Sequence, residues 1–283
     1  MEKDAEFSMD MPHGESVYKF DSSKEEISEI EEFHLLADEY YEKQDYAKAA
    51  EFYRKAAVAG DADAMVQLGC CYFFGEGLAV NYDEAVIWFR KAAEAGNEWG
   101  MTNLAHAYRN GDGVPQDYAE AFKWYKEAAE LGNSDAMYSL GLSYYFGEGV
   151  TQDYTEAAKW YRKAAEEGNG EAMNYLGLLY FFGDGVDIDF TQAAGWFLKA
   201  AEAGDAEGMN NLAKAYCNGE GVALDYTEAA KWYHKAAELG NGEAMRALGS
   251  LYFFGDGVTQ SFEEAAKWYR KAAEHGSVDG QSK

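Results

Sequence analysis

From Asp61 to Gly276 the chain repeats itself six times at a fixed spacing of 36 residues, with no insertion or deletion. The repeats are 61–96, 97–132, 133–168, 169–204, 205–240 and 241–276 of a 283-residue chain. A constant period in this range implies a stack of identical supersecondary pieces, each burying its apolar face only against its neighbours. It excludes most enzyme folds and places function on a long, open surface.

Within a repeat, counted 1 to 36, position 5 is Met (Met65, Met101, Met137, Met173, Met209, Met245). Position 8 is always Leu and position 12 always Tyr, from Leu68 and Tyr72 to Leu248 and Tyr252. Steps of three and four put these side chains on one helical stripe, with a small Gly or Ala at position 9 where another helix can approach. This is helix A. Glycines at 15 and 17, as in Gly75-Glu76-Gly77 and Gly183-Asp184-Gly185, end it and turn the chain. A second stripe follows: an aromatic at 22, Ala at 25, Trp at 28, Tyr or Phe at 29 and Ala at 32 and 33. Tyr154, Ala157, Trp160, Tyr161, Ala164 and Ala165 show it in the third repeat. This is helix B, expected to stop at the Gly of position 36. The architecture is all-α.

The run Ala-Met-x-x-Leu-Gly-x-x-Tyr-x-x-Gly-x-Gly-Val, followed by Ala-x-x-Trp-Tyr-x-x-Ala-Ala-x-x-Gly, resembles the Sel-one-like repeat (SLR) family, a relative of the tetratricopeptide repeat. The resemblance spans 61–276. It implies an α-solenoid of antiparallel helix pairs, a right-handed superhelix whose A helices line a concave groove, and an adaptor or scaffold role rather than catalysis.

The ends depart from this pattern. Residues 23–60 are expected to hold a seventh helix pair, with Leu36, Ala37, Tyr40, Ala49, Phe52, Tyr53, Ala56 and Ala57 at equivalent places. Its loop is shorter and lacks the glycine pair, which resembles an ordinary tetratricopeptide repeat capping the stack. Ser23 with Glu26 reads as a capping box opening its first helix. Residues 1–22 show no periodicity and are expected to be a disordered acidic tail. A tail is also expected over 277–283, with no capping helix after it, which leaves self-association through an uncapped end or continuation in a longer chain.

The net charge of −27 argues against a nucleic-acid partner, whose affinity basic side chains would supply. Positions 1–21 of the six repeats hold nineteen Asp or Glu against three basic residues, Arg109, Lys214 and Arg246. Most Lys and Arg lie on helix B, as at Lys159, Arg162 and Lys163. The acidic A side either keeps the protein dispersed or suits a basic partner. No stretch is long and apolar enough to span a membrane. The start of the chain has no apolar run and so does not read as a secretory signal. With only three cysteines, Cys70, Cys71 and Cys217, a reducing, cytoplasmic setting is expected.

Binding residues are sought on the A stripe away from Met, Leu and Tyr, at positions 3, 6, 10, 13 and 14. Position 3 is acidic in five repeats and Trp99 in the second. Positions 6 and 10 vary: Val66, Thr102, Tyr138, Asn174, Asn210, Arg246, then Cys70, His106, Leu142, Leu178, Lys214, Ser250. In a repeat that otherwise holds its core letter for letter, that variation reads as surface where partner specificity is written. Positions 13 and 14 carry aromatic pairs in four repeats: Phe73-Phe74, Tyr145-Phe146, Phe181-Phe182 and Phe253-Phe254. The second and fifth carry Arg109-Asn110 and Cys217-Asn218 instead. Adjacent helical residues point about 100° apart. Either one ring of each pair stands free to grip a peptide, or both are core.

Chemistry-bearing motifs are absent. The five histidines have no His or Cys partner at metal-ligand spacing. The Gly-Asp-Gly loops lack the lysine and strand of a phosphate-binding loop, and Asp184, Asp187 and Asp189 lack the closing glutamate of a calcium loop. No metal, cofactor or nucleophile–base pair is expected. The reading is a non-enzymatic scaffold that holds another protein or a peptide, basic in character, in an acidic, aromatic-lined groove. The alternatives are an inhibitor or immunity-type protein that neutralises a basic toxin or enzyme, and a regulatory subunit of another enzyme.

Overall fold

Paired glycines and small residues recur because backbones meet where they stand. The computed structural model describes residues 28–279. Among the described residues there are fourteen helices and no strand. The leading pair is α1 (Glu29–Glu42) and α2 (Tyr46–Ala59). The A helices are α3 (Ala62–Phe74), α5 (Glu98–Asn110), α7 (Ser134–Phe146), α9 (Gly170–Phe182), α11 (Ala206–Asn218) and α13 (Gly242–Phe254). The B helices are α4 (Tyr82–Glu94), α6 (Tyr118–Glu130), α8 (Tyr154–Glu166), α10 (Phe190–Glu202), α12 (Tyr226–Glu238) and α14 (Phe262–Asp279). The chain forms two compact units: Met1–Ser143 with Gly147–Thr151, and Tyr144–Phe146 with Gln152–Lys283.

Both ends of each A helix are written locally. Asp or Asn at position 1 accepts the N–H three residues on, as Asn97 Oδ1 does from Gly100 N at 2.9 Å, which satisfies an orphan donor of the first turn. Gly at position 15 then closes the helix in the left-handed region, at φ +78° in Gly75. Position 21 caps helix B in the same way, as Asp117 does for Glu120 N at 3.1 Å. Helix B next packs on helix A through position 9: a Cβ on Gly69 would stand 2.5 Å from Phe89 Cε1. The glycine of position 17 joins one repeat to the one before. A Cβ on Gly221 would lie 1.9 Å from the carbonyl oxygen of Phe190, so only glycine lets that loop sit on the start of α10.

The core follows the two stripes. Leu68, Phe89, Ala92 and Leu104 in the first unit and Leu176, Phe197, Ala200, Leu212 and Leu248 in the second are all buried. On the outer face Lys at position 31 lies over the Trp at 28, with 3.8 Å from Lys91 Nζ to the Trp88 ring and 3.9 Å for Lys235 and Trp232. Arg at position 30 reaches the Tyr at 12 of the next repeat, as in Arg90 Nη2 to Tyr108 Oη at 2.8 Å.

The ends differ from expectation. Ser23 and Glu26 lie outside the described residues, as do 1–22; the described cap of α1 is Ser28, whose Oγ accepts from Glu31 N at 3.3 Å. Helix α14 does not stop at Gly276 but runs to Asp279. Elsewhere the Asn or Asp after the position-36 glycine caps the next A helix and supports the turn, whereas Ser277 follows here and no described A helix rests on it. No helix among the described residues is long and apolar enough to cross a membrane.

Candidate binding surface

The aromatic pairs divide their work between the protein and the solvent. At position 13 the ring packs on the aromatic of position 22 in its own repeat: Phe73 on Tyr82 at 4.9 Å, Tyr145 on Tyr154 at 5.0 Å, Phe181 on Phe190 and Phe253 on Phe262, both at 5.2 Å. At position 14 the ring meets its neighbour edge-on, at 4.9 to 5.1 Å. It is the last helical residue before the glycine turn, so no later turn covers it. Phe74, Phe182 and Phe254 are 45%, 50% and 67% exposed, and Phe146 is half-buried. Tyr145 is buried, because it also meets Tyr175 at 6.2 Å.

Two further positions join this edge, and reading the sequence missed them. Position 22, assigned above to the core stripe of helix B, is substantially exposed in Tyr82, Phe190, Tyr226 and Phe262. Position 20 folds its side chain back over the position-15 glycine: a Cβ on Gly75 would meet Val80 Cγ2 at 2.8 Å, and one on Gly183 would meet Ile188 Cγ1 at 2.6 Å. Val80, Ile188 and Leu224 are all more than half exposed. Their signal was in the letters, since an exposed loop next to a glycine pair has no packing need for Val, Ile or Leu. The first and fourth repeats thus offer a compact apolar patch on the A–B loop edge, such as Phe181, Phe182, Ile188 and Phe190, while in the third and sixth position 20 is Gln152 and Gln260, which donate to the carbonyls of Tyr145 and Phe253.

Acids flank the patches, and some are already engaged. Position 16 is Asp or Glu in all six repeats, and it addresses position 13 of the preceding one. Glu76 Oε2 accepts from Tyr41 Oη at 3.1 Å, and Glu148 Oε2 accepts from Arg109 Nε at 2.9 Å. Arg109, expected to face a partner, is therefore held inside the chain, with 11% of its side chain exposed. The position-3 acids Asp63, Glu171, Glu207 and Glu243 are exposed. Asp63 takes a bond from Asn97 Nδ2 at 2.6 Å and Glu207 one from Asn241 Nδ2 at 2.7 Å. Glu243 accepts from Asn210 Nδ2 at 3.0 Å and Lys214 Nζ at 2.8 Å. Burial works against the charge on Glu243, but the Lys214 ammonium outweighs it and holds the carboxyl below its ordinary range.

Positions 6 and 10 are not the free surface that their variation suggested. Val66, Thr102, Tyr138, Asn174 and Asn210 are buried, as are Cys70, His106 and Leu142. Thr102, Asn174 and Asn210 each meet a polar side chain of the following repeat. Asn211 Nδ2 donates to Asn174 Oδ1 at 2.8 Å, and Thr102 Oγ1 to Asn133 Oδ1 at 3.2 Å. His106 lies edge-on to Tyr125 at 5.3 Å, and burial presses its pKa down to about 3, so the ring stays neutral. Arg246 remains exposed, while Trp99 and Lys214 are partly exposed.

Reactive chemistry finds little support. Among the described residues no three His, Cys, Asp or Glu side chains are grouped to hold a metal ion. Cys70, Cys71 and Cys217 are free thiols, and burial pushes Cys71 up to about 12 and Cys70 further still. Such thiols are poor nucleophiles.

The Sel1 repeat family matches the chain at 35–61, 62–97, 100–133, 134–169, 170–205, 206–241 and 242–277. The first match falls on the helix pair expected to resemble an ordinary tetratricopeptide repeat. No curated protein sequence matches the chain. Among solved structures, a Sel1 repeat protein from Oxalobacter formigenes is 35% identical over 85% of this chain and 98% of its own, with a TM-score of 0.81. The protective antigen c5321 of uropathogenic Escherichia coli, described as displaying an SLR fold, is 39% identical over 89% of this chain, with a TM-score of 0.76. This chain spans 55% of that antigen's length. The immunity protein PA5088 from Pseudomonas aeruginosa shares the fold at 24% identity, over 78% of this chain and 81% of its own, with a TM-score of 0.51.

Proposed function

Because the chain belongs to the Sel1 repeat family, a protein-interaction scaffold fold, we propose that it is a non-enzymatic adaptor that holds a basic polypeptide segment along the A-helix side and its loop edge. One observation carries this reading: the position-14 rings of Phe74, Phe182 and Phe254, 45%, 50% and 67% exposed, each two residues from an acid. A buried Phe covers about 150–250 Å², so covering the exposed half of Phe182 would contribute roughly 2 kcal/mol at about 25 cal/mol per Å². Repeats two and five lack the aromatic pair and divide the edge into separate anchor points. The basic character of the partner follows from the excess of acids on this side. Buried free thiols fit a reducing, cytoplasmic setting.

The experiment is selection of displayed 12-residue peptides on the wild type and on a Phe182→Ser, Phe254→Ser double variant. Enrichment of peptides that combine Lys or Arg with large apolar residues, lost in a double variant of unchanged helical circular dichroism, is the expected result. No enrichment, or enrichment indifferent to the substitutions, refutes it. The excess of acids favours a second reading, neutralisation of a folded basic toxin or enzyme. That complex would depend on charge pairs screened within about 8–10 Å and would weaken steeply with salt, whereas ring-anchored peptide binding would not.

A further inference from the structure

Helices α8 and α12 are the same 13 residues except at one place, where Arg162 in the first is His234 in the second. The position is 30, and wherever it forms a bond as arginine the partner is the same. Arg162 Nη2 donates to Tyr180 Oη and Arg90 Nη2 to Tyr108 Oη, both at 2.8 Å, and Arg54 reaches Tyr72 Oη in the same way. The guanidinium also lies over the ring it bonds, with Cζ 5.5 Å from the Tyr72 centroid and 5.7 Å from that of Tyr108. His234 is shorter and is engaged elsewhere. Its ring stands edge-on to Trp268 at 5.3 Å, and its Nδ1 is 3.4 Å from Glu238 Oε1. Among the described residues no hydrogen bond reaches Tyr252 Oη, the counterpart of Tyr180 Oη.

A cavity of about 380 Å³ opens beside His234, lined also by Thr227, Ala230, Lys231, Tyr252, Gly257 and Val258. Small-ligand sites run from about 300 to 1,000 Å³. Each of these six residues has its own type at the Arg162 site, as Thr155, Ala158, Lys159, Tyr180, Gly185 and Val186. The lining is constant; only the side chain that covers it changes. A following helix pair is present at both places, α9 and α10 at Arg162 and α13 and α14 at His234. The difference therefore comes from one residue and not from the end of the stack.

We propose that the cavity between α12 and α13 binds a guanidinium group from outside the chain, the head of a partner's arginine side chain or a small guanidino compound. The protein holds its own guanidinium against the same six residue types, so the neighbouring repeat shows what fits. Tyr252 offers the hydroxyl acceptor and ring face that Tyr108 gives Arg90. Lys231 is no obstacle: its Nζ pairs with Glu228 Oε1 at 2.5 Å, as Lys159 does with Glu156 at 2.6 Å beside Arg162. With Lys231 and His234 each already facing a carboxylate, the rim has little to offer an anion. The cavity shares no residue with the aromatic pairs, so it stands independently of the loop-edge reading.

The test is an amide NMR titration of the full chain with N-acetyl-arginine amide, its lysine analogue, free arginine and acetate. Saturable shifts at the amides of 227–234 and 252–258 are expected, with a dissociation constant on the order of 1–10 mM. The lysine compound should bind at least about fivefold more weakly, lacking the planar fork. His234→Arg returns the chain's own guanidinium, and Tyr252→Phe keeps the ring and removes the acceptor; each should weaken binding by about threefold or more. Free arginine binding more tightly than the amide makes the ligand a small compound, and binding no tighter makes it a polypeptide side chain. No saturable shift, equal binding of the lysine compound, tighter binding of acetate at the same amides, or wild-type binding in both variants overturns the proposal.

Discussion

Replacing Asp205 by Asn should stabilise the protein at neutral pH and lose that advantage in acid. Position 1 is Asn in four repeats and Asp in Asp61 and Asp205. All cap their A helix alike: Asp205 Oδ1 accepts from Gly208 N at 2.6 Å and Asn241 Oδ1 from Ala244 N at 2.8 Å. Asp61 has a counter-charge, with His34 Nδ1 at 2.6 Å from its Oδ2. Asp205 is half-buried beside the like charge of Glu207. Burial, only partly opposed by the Gly208 N–H, raises its carboxyl from 3.8 to about 6. A folded-state pKa above the unfolded value means that the native protein holds this proton more tightly. Stability from this group therefore falls as pH rises from about 4 to 6, and the whole penalty is present above about 6.

Two pKa units correspond to roughly 3 kcal/mol; partial exposure of the site and the favourable helix N-terminus bring the expected gain of Asp205→Asn to about 1–2 kcal/mol at pH 8. Asn keeps the capping acceptor. It also supplies an amide where Asn97 and Asn241 donate to the position-3 acid of the preceding repeat. Urea unfolding followed by circular dichroism at pH 8 and pH 4.5 reads the difference. Hydrogen exchange of the α11 amides localises it, which matters in an array whose repeats need not unfold together. A variant less stable than wild type by the same margin at both pH values would refute the burial argument and assign the charge a net favourable role at the helix start.

Three other outcomes follow from the geometry. Gly221→Ala places a methyl group 1.9 Å from the Phe190 carbonyl at φ +74°; the left-handed conformation alone costs about 1–2 kcal/mol, so the loss in urea midpoint should exceed that of any exposed Ala substitution on α11. The His34–Asp61 pair should add stability in a bounded window. Burial opposes the charge on His34, but Asp61 prevails and raises its pKa above 6.5, while the Asp61 carboxyl, despite its own burial, is lowered below 3.8. The stabilisation is thus present between those values, lost as pH rises through the histidine's folded pKa and lost again as pH falls through the aspartate's. His34→Gln should cost stability at pH 5.5 and little at pH 9, measured as the difference from wild type at each pH. In a double-mutant cycle, Asn174→Ala and Asn211→Ala should show a coupling of about 0.5–3 kcal/mol, because each single change strands the other amide; strict additivity would mean that the two side chains vary independently.

That coupling bears on why the core was legible in the letters and half of the surface was not. Met, Leu, Tyr, Trp and Ala recur because a stack of equal pieces offers each the same cavity, so identity from repeat to repeat reports burial. The converse inference fails. Position 6 can be Val, Thr, Tyr or Asn and remain buried, since what it touches on the next A helix varies as well; Asn174 meets Asn211, at a position that is Gln, Asn, Ser, Tyr or Ala in the other repeats. Invariance requires that both sides of a contact be fixed, and here both move together. Arg109 was misread for a different reason: its complement Glu148 stands at a position that is acidic in every repeat, so the letters did not mark that acid as its partner. The position-14 rings, which the letters left open between surface and core, are exposed in Phe74, Phe182 and Phe254 because the glycine behind them ends the helix. In a solenoid, then, variation marks a binding surface only where no neighbouring repeat is in reach, and among the described residues that condition is met at the A–B loop edge.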